Sequence, residues 1–140
     1  MNAETIKVQQ VTSWSSDDIV ALYKEGGWWK EEYQPEELPH LIKGSYAFVV
    51  AVDTTTNRTV GMGRVLSDGS SDAYIQDVIV LSSYRNQGIG SKIISFLIHL
   101  CQLKGIQWIG VIAEPGSEAF YQTLGFHTMK DHIPMRYTQE

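Results

Sequence analysis

Apolar and polar positions along this chain change period several times, and each change marks an element. Residues 5–12 alternate as a strand does, and Ser15-Ser16-Asp17-Asp18 then offers a Ser-x-x-Asp cap ahead of Ile19, Val20, Leu22 and Tyr23. This pattern predicts a first helix, ended by Gly26-Gly27. Pro35 opens a second short helix that reaches Lys43-Gly44. Residues 45–53, 59–66 and 73–81 read as three strands, parted by turn-rich stretches at 54–58 and 67–71, so an antiparallel meander is expected. Ile93, Ile94, Leu97, Ile98, Leu100 and Cys101 recur at the helical period and predict a long helix over about 88–103, closed by Gly105. An apolar strand at 106–113, a short helix at 117–123 ended by Gly125, and a last hairpin at 126–129 and 133–138 complete the reading. The strand–helix–strand run from 73 to 113 pairs in parallel only through a crossover, right-handed by rule, so the sheet is mixed and the class is α/β.

Composition narrows the function classes. At 140 residues, 43% apolar and 19% charged, the chain fits one domain, 1–140, with a proper core. Eleven basic against sixteen acidic residues give a net charge of −5 with no Lys/Arg run, which argues against nucleic acid and leaves a cationic amine as a natural partner. The chain shows no signal peptide and no long apolar span, so no membrane association is expected. A single cysteine rules out an internal disulfide and makes a reducing cytoplasm the default. His40, His99, His127 and His132 share no ligand spacing, so no metal site is expected, and Cys101 sits on the apolar stripe of the long helix as core.

The clearest chemistry lies at 78–92. An apolar run ends in Ser82-Ser83-Tyr84-Arg85-Asn86-Gln87, Gly88 and Gly90 follow, and a helix begins. Glycines there let the backbone come close to a ligand, and the first N–H groups of the helix point outward, so the expected guest is an anion. A dinucleotide fingerprint would need glycine at Ile93, and a P-loop would need Lys-Ser/Thr after Gly90, where Ser91-Lys92 stands. Both are excluded.

Arg85-x-x-Gly88-x-Gly90 instead resembles the Gln/Arg-x-x-Gly-x-Gly/Ala motif of the GCN5-related N-acetyltransferases, and Phe120-Tyr121-x-x-x-Gly125-Phe126 is similar to a signature late in the same family. With the element order, the resemblance covers roughly residues 45–138, and a looser likeness to small acetyltransferases touches Leu22-Tyr23 and Gly27-Trp28. It implies a mixed, mostly antiparallel sheet flanked by helices, with a V-shaped splay between two central parallel strands. It also implies acetyl-CoA as cosubstrate. Val78, Ile79 and Val80 would pair with the pantetheine arm, and Arg85, Asn86, Gln87, Gly88, Ile89, Gly90 and Ser91 would cradle the pyrophosphate. Tyr121, at the cofactor, would protonate the departing thiolate.

An alkylamine is mostly protonated at neutral pH, so a base is needed. Members that use histidines carry them at places matching Tyr74 and Gln76, neither of which is a base. Asp77, a carboxylate that interrupts an apolar strand, is the first candidate. Glu114 is the second, standing where many members carry an asparagine that contacts the cofactor, and a water chain is a third route. For the acceptor, Trp28, Trp29, Tyr33 and Arg64 are the expected contacts, within an aromatic and acidic N-terminal region that also holds Trp14 and Tyr23, with Asp68 beside Arg64. The expected function is acetyl transfer to a primary amine, a small molecule ahead of a protein, by direct attack. A noncatalytic acyl-CoA-binding sensor or interaction domain is the alternative, and a homodimer is admitted as the assembly.

Overall fold

The computed structural model describes residues 5–139, and over these the elements follow the predicted order as far as residue 125. β1 (Ile6–Gln10) leads to α1 (Ser16–Glu25), whose cap is the predicted one: Ser15 Oγ accepts the Asp18 N–H at 3.3 Å. The inward stripe of α1 is Ile19, Leu22 and Tyr23. A 3₁₀ turn at Pro35–Glu37 passes into α2 (Leu38–Gly44), β2 (Ala47–Asp53), β3 (Arg58–Ser67) and β4 (Asp72–Val80) form the meander, α3 (Ile89–Leu103) crosses back, and β5 (Trp108–Val111) precedes α4 (Glu118–Thr123). Strand order is β1-β2-β3-β4-β5, antiparallel throughout except for the parallel β4–β5 pair. Among the described residues no helix is long and apolar enough to cross a membrane.

α3 packs Ile93, Ile94, Leu97 and Cys101 on the sheet, where all four are fully buried. The helix comes this close because β3 offers no side chain at Gly63. A Cβ there would lie 2.9 Å from Ile93 and 3.1 Å from Leu97. Every residue of β2 is buried, which the unbroken apolar run of that strand requires.

Two expectations need correction. The hairpin at 126–129 and 133–138 does not form: among the described residues no strand follows α4, and every residue from 127 to 139 is exposed. The parallel pair is therefore not central, since β5 ends the sheet. The physical reason lies in the sequence itself. Ile133, Met135 and Tyr137 have strand spacing, but period alone does not supply a partner, and the turn at Lys130-Asp131, with Asp131 left-handed, carries the chain off the body. The splay is present. β4 and β5 pair from Asp72↔Trp108 to Ile75↔Val111, after which β4 runs on to Val80 with no strand on that edge.

One buried carboxylate ties the sheet to the turn before α3. Asp53 Oδ1 accepts from Thr55 Oγ1 (2.7 Å) and Thr55 N–H (3.0 Å), and Oδ2 accepts from the Tyr84 hydroxyl at 2.8 Å. The Thr55 bond first, and the Tyr84 bond next, hold the Asp53 carboxyl down to about 2, against an ordinary 3.8. A folded-state value below the unfolded one means that this stabilisation is complete above about pH 4 and fades as pH falls toward 2. Tyr84→Phe should thus lower the urea midpoint near neutral pH, and the gap from wild type should narrow below about pH 3. Equal midpoints at neutral pH would show that this anchor does not stabilise the fold.

Candidate active site

The site begins with one surplus residue. Between Met62↔Ile79 and Arg64↔Gln76, β4 advances three positions while β3 advances two, so β4 bulges at Asp77-Val78. Asp77 takes φ 58, a left-handed conformation that costs a non-glycine residue on the order of 1 kcal/mol. Its carboxylate is held on one oxygen: Oδ2 accepts from Arg64 Nε at 2.7 Å and from the Tyr23 hydroxyl at 2.8 Å. Arg64 reaches on to Ser45 Oγ and Gln76 Oε1, each at 3.4 Å. Burial, reinforced by the Asp77 charge, pushes the Tyr23 phenol well above the usual range, so its proton stays to make this bond. The strand's alternation could not reveal the bulge. Tyr23 was equally hidden, because its helical spacing marks the ring as core without showing that its hydroxyl reaches a polar group.

Asp77 and Trp28 line two cavities at once. The first, about 290 Å³, lies in the β4–β5 splay and is walled by Val78, Val111, Ile112, Glu114 and Tyr121 as well. The second, about 490 Å³, lies between α1, α2 and the sheet and is lined further by Tyr23, Trp29, Tyr33, Glu37, His40 and Arg64. Its rings form a chain: Tyr23–Trp28 and Tyr23–Trp29 centroids are 6.3 Å apart and Trp29–Tyr33 5.5 Å. The structure thus gathers Asp77, Glu114 and Tyr121 in one cavity, and Trp28, Trp29, Tyr33, Arg64 and Asp77 in the other. Asp68 stands apart, accepting the Ser70 and Ser71 N–H groups in the β3–β4 turn at 2.8 and 2.9 Å. Of the acidic N-terminal residues, Glu37 reaches the second cavity, whereas Glu25 accepts the Ser82 N–H and pairs with Arg85 at 3.7 Å.

Tyr121 packs edge-on against Phe120 and Phe126, at 5.1 and 5.5 Å. Burial, and then the Glu114 charge, raise its phenol above the ordinary value, so it is a proton carrier rather than a phenolate. Burial likewise pushes the Cys101 thiol up, which agrees with a core role for that residue.

The loop at 85–91 has the makings of an anion cradle. Asn86 and Gly88 take φ 64 and 79, turning the chain sharply into α3, and α3 starts without a side-chain cap. Its first N–H groups are therefore directed at the loop's concavity. Gln87 Oε1 is buried with no hydrogen-bond partner, an amide that can turn its Nε2 to a ligand. Arg85 folds back instead, its Nε donating to the Val80 carbonyl at 3.0 Å. The two glycines serve differently. A Cβ at Gly88 meets open space, while one at Gly90 would lie 3.3 Å from the Phe120 ring, so the two motif halves touch there.

Comparison with known proteins decides the family. The profile of the acetyltransferase (GNAT) domain matches residues 3–137. The chain belongs to the GNAT acetyltransferases. Among curated relatives of this GNAT domain, GCN5-related N-acetyltransferase 1, chloroplastic, of Arabidopsis thaliana is 38% identical over 78 residues, 56% of this chain and 40% of that protein. Serotonin N-acetyltransferase 2, chloroplastic, of Oryza sativa subsp. japonica is 31% identical over 83 residues, 59% of this chain and 42% of that protein. The match thus spans less than half the length of either relative. Among solved structures, a GNAT family acetyltransferase of Streptococcus pneumoniae superposes with a TM-score of 0.78 at 28% identity, covering 96% of this chain and 98% of that one.

The contact at Gly90 yields a stability prediction. Gly90→Val should lower unfolding free energy by about 1–3 kcal/mol through overpacking on Phe120. Gly88→Ala should cost about 1 kcal/mol through its positive φ alone. Urea titrations would check both, and a wild-type midpoint for Gly90→Val would mean that the loop does not press on α4.

Proposed function

We propose that this GNAT domain moves the acetyl group of acetyl-CoA to a primary amine of a small molecule by direct attack on the thioester. The observation that carries the reading is the shared wall: Asp77 and Trp28 border both the cavity holding Tyr121 and the aromatic one. Two substrates entering by the two cavities meet beside Asp77.

As cosubstrate, acetyl-CoA is held by this chain's backbone more than by its side chains. The edge of β4 beyond Ile75 offers Val78, Ile79 and Val80 to the pantetheine amides, and residues 85–91, with the uncapped start of α3, receive the pyrophosphate. The acceptor ammonium is drawn by Asp77 and Glu37 and by the faces of Trp28, Trp29 and Tyr33, which favour a cation. That aromatic lining, and the name of the rice relative, support an arylalkylamine first among cationic amines. The single buried Cys101 supports a reducing compartment, cytoplasmic by default.

The amine must lose a proton before it attacks. Asp77 Oδ2 is engaged by Arg64 and Tyr23, so the proton passes to Oδ1, with Glu114 as the second acceptor. The amine nitrogen then bonds to the acetyl carbonyl carbon, the nitrogen of the tetrahedral intermediate gives up its second proton to solvent, and the intermediate collapses to the amide as the carbon–sulfur bond breaks. Tyr121 gives its proton to the leaving sulfur and is reprotonated from solvent, a role supported by its raised phenol.

Tyr121→Phe should lower turnover on the order of 10²-fold with acetyl-CoA affinity unchanged. Thiol release across an amine panel measures the first and calorimetry the second. Wild-type turnover would remove Tyr121 as the acid, and acetyl-CoA binding without turnover on any amine in the wild type would favour the noncatalytic domain. Asp77→Asn should depress the rising limb of the pH–rate profile. Full activity in that variant would transfer the base role to Glu114 or to a water chain.

A further inference from the structure

We infer that the first cavity also takes straight acyl groups longer than acetyl, their tails lying on Tyr74, Val111, Ile112 and Trp108, so that this domain acts on a series of acyl-CoA thioesters. The inference rests on the acetyl-transfer proposal and deepens it by naming a further class of cosubstrate.

The cavity is deeper than an acetyl group needs. In the proposed reaction the thioester lies beside Asp77 and Tyr121, and the pantetheine arm runs along Val78, Ile79 and Val80. A longer acyl chain therefore continues the other way along β4, past Asp77 toward Gln76 and Ile75. The cavity goes on in that direction, lined by Gln76, Ile75 and Tyr74 on one side and by Val111 and Ile112 on the other. Its floor is the point where the strands close up, Ile75↔Val111. That is two strand residues below Asp77, roughly 7 Å. The methyl of an acetyl group reaches only about 1.5 Å beyond its carbonyl carbon, one carbon–carbon bond.

This depth is apolar. Both carboxylates of the cavity lie toward its open end, Asp77 two residues beyond Ile75 and Glu114 three beyond Val111. Below them Gln76 is the one polar side chain in the lining, among Tyr74, Ile75, Val111 and Ile112. The floor then gives onto an uncovered apolar shelf. Tyr74, Trp108 and Ile112 are 48%, 41% and 74% exposed, and the Tyr74 and Trp108 rings lie 5.2 Å apart. Gly110 makes room for this pairing, since a Cβ there would lie 2.7 Å from the Trp108 ring. Scattered apolar residues at a surface are ordinary. Here Tyr74 belongs to both shelf and cavity, so the apolar surface runs unbroken from the thioester site to solvent, which suits an alkyl chain.

The acceptor does not compete for this surface. The aromatic cavity reaches β4 from the β3 side, through Arg64, whereas the shelf lies on the β5 side, with Asp77 between them. The chemistry is unchanged: an alkylammonium and an acyl-CoA give the N-acylamide, coenzyme A thiol and one proton, the carbon–sulfur bond breaking after the carbon–nitrogen bond forms.

Calorimetry with acetyl-, butanoyl- and hexanoyl-CoA, paired with thiol release on one amine acceptor, tests this. Affinity should rise about two- to fourfold with each added methylene, and butanoyl-CoA should turn over no more slowly than acetyl-CoA. Ile112→Asp, at an exposed position, should flatten the series while far-UV circular dichroism stays unchanged, and Trp108→Ser should reduce the gain for hexanoyl-CoA. Acetyl-CoA binding with a flat or falling series would overturn the inference and leave acetyl transfer standing. A rise that survives both substitutions would put the acyl chain elsewhere and overturn it too. Rising affinity without turnover would make the longer thioesters inhibitors, which overturns their role as cosubstrates. No binding of any thioester would overturn the acetyl-transfer proposal and this inference together.

Discussion

The extra residue that β4 carries at Asp77 sets the geometry around both cavities. Without it, β4 would keep its register with β3 to the end and Asp77 would alternate like its neighbours. With it, the strand kinks, and the Asp77 carboxylate meets Arg64 and Tyr23, from β3 and α1. A left-handed aspartate in a strand is held in place by its surroundings. Here those surroundings are a 2.7 Å ion pair and a 2.8 Å phenol bond on one oxygen. Asp77 itself lines both cavities.

A second constraint, independent of the first, sets the loop. Asp53, fully buried at the end of β2, takes the Tyr84 hydroxyl and so fixes the turn from which the chain enters residues 85–91. Phe120 presses on Gly90 from the other side. The start of α3 is thus clamped between a buried carboxylate and an aromatic ring, rigid enough to present backbone N–H groups without a side-chain cap. The two halves of the sequence signature, the glycine loop and the Phe-Tyr pair, meet at this contact.

Much of this was legible in the chain. Hydrophobic period located β1 to β5 and the four helices, since each buries a face whose repeat is visible in sequence. The glycine loop and Tyr121 were legible because backbone geometry and motif spacing leave a residue-level trace. The bulge left none, since an aspartate inside an apolar strand marks an exception without saying that the register breaks there. His40 in the second cavity was missed, and Tyr23 and Glu37 were placed only in the broad aromatic and acidic N-terminal region, for a related reason: they converge from separate elements, and pattern within one element carries no information about such meetings. The C-terminal hairpin failed in the opposite direction. Ile133, Met135 and Tyr137 have strand spacing and form no strand, because a strand needs an edge to pair with and the chain's own turn at Asp131 leads away from one.

The central claim is that the β4–β5 splay and the aromatic cavity receive the two substrates and join at Asp77. A crystal structure with coenzyme A and an amine acceptor bound together tests it most directly. The account predicts the thiol sulfur within hydrogen-bond reach of the Tyr121 hydroxyl, the pyrophosphate on the backbone of residues 85–91, and the amine nitrogen between Trp28 and Asp77. Coenzyme A lying outside the splay, or an acceptor bound away from the aromatic cavity, would contradict it.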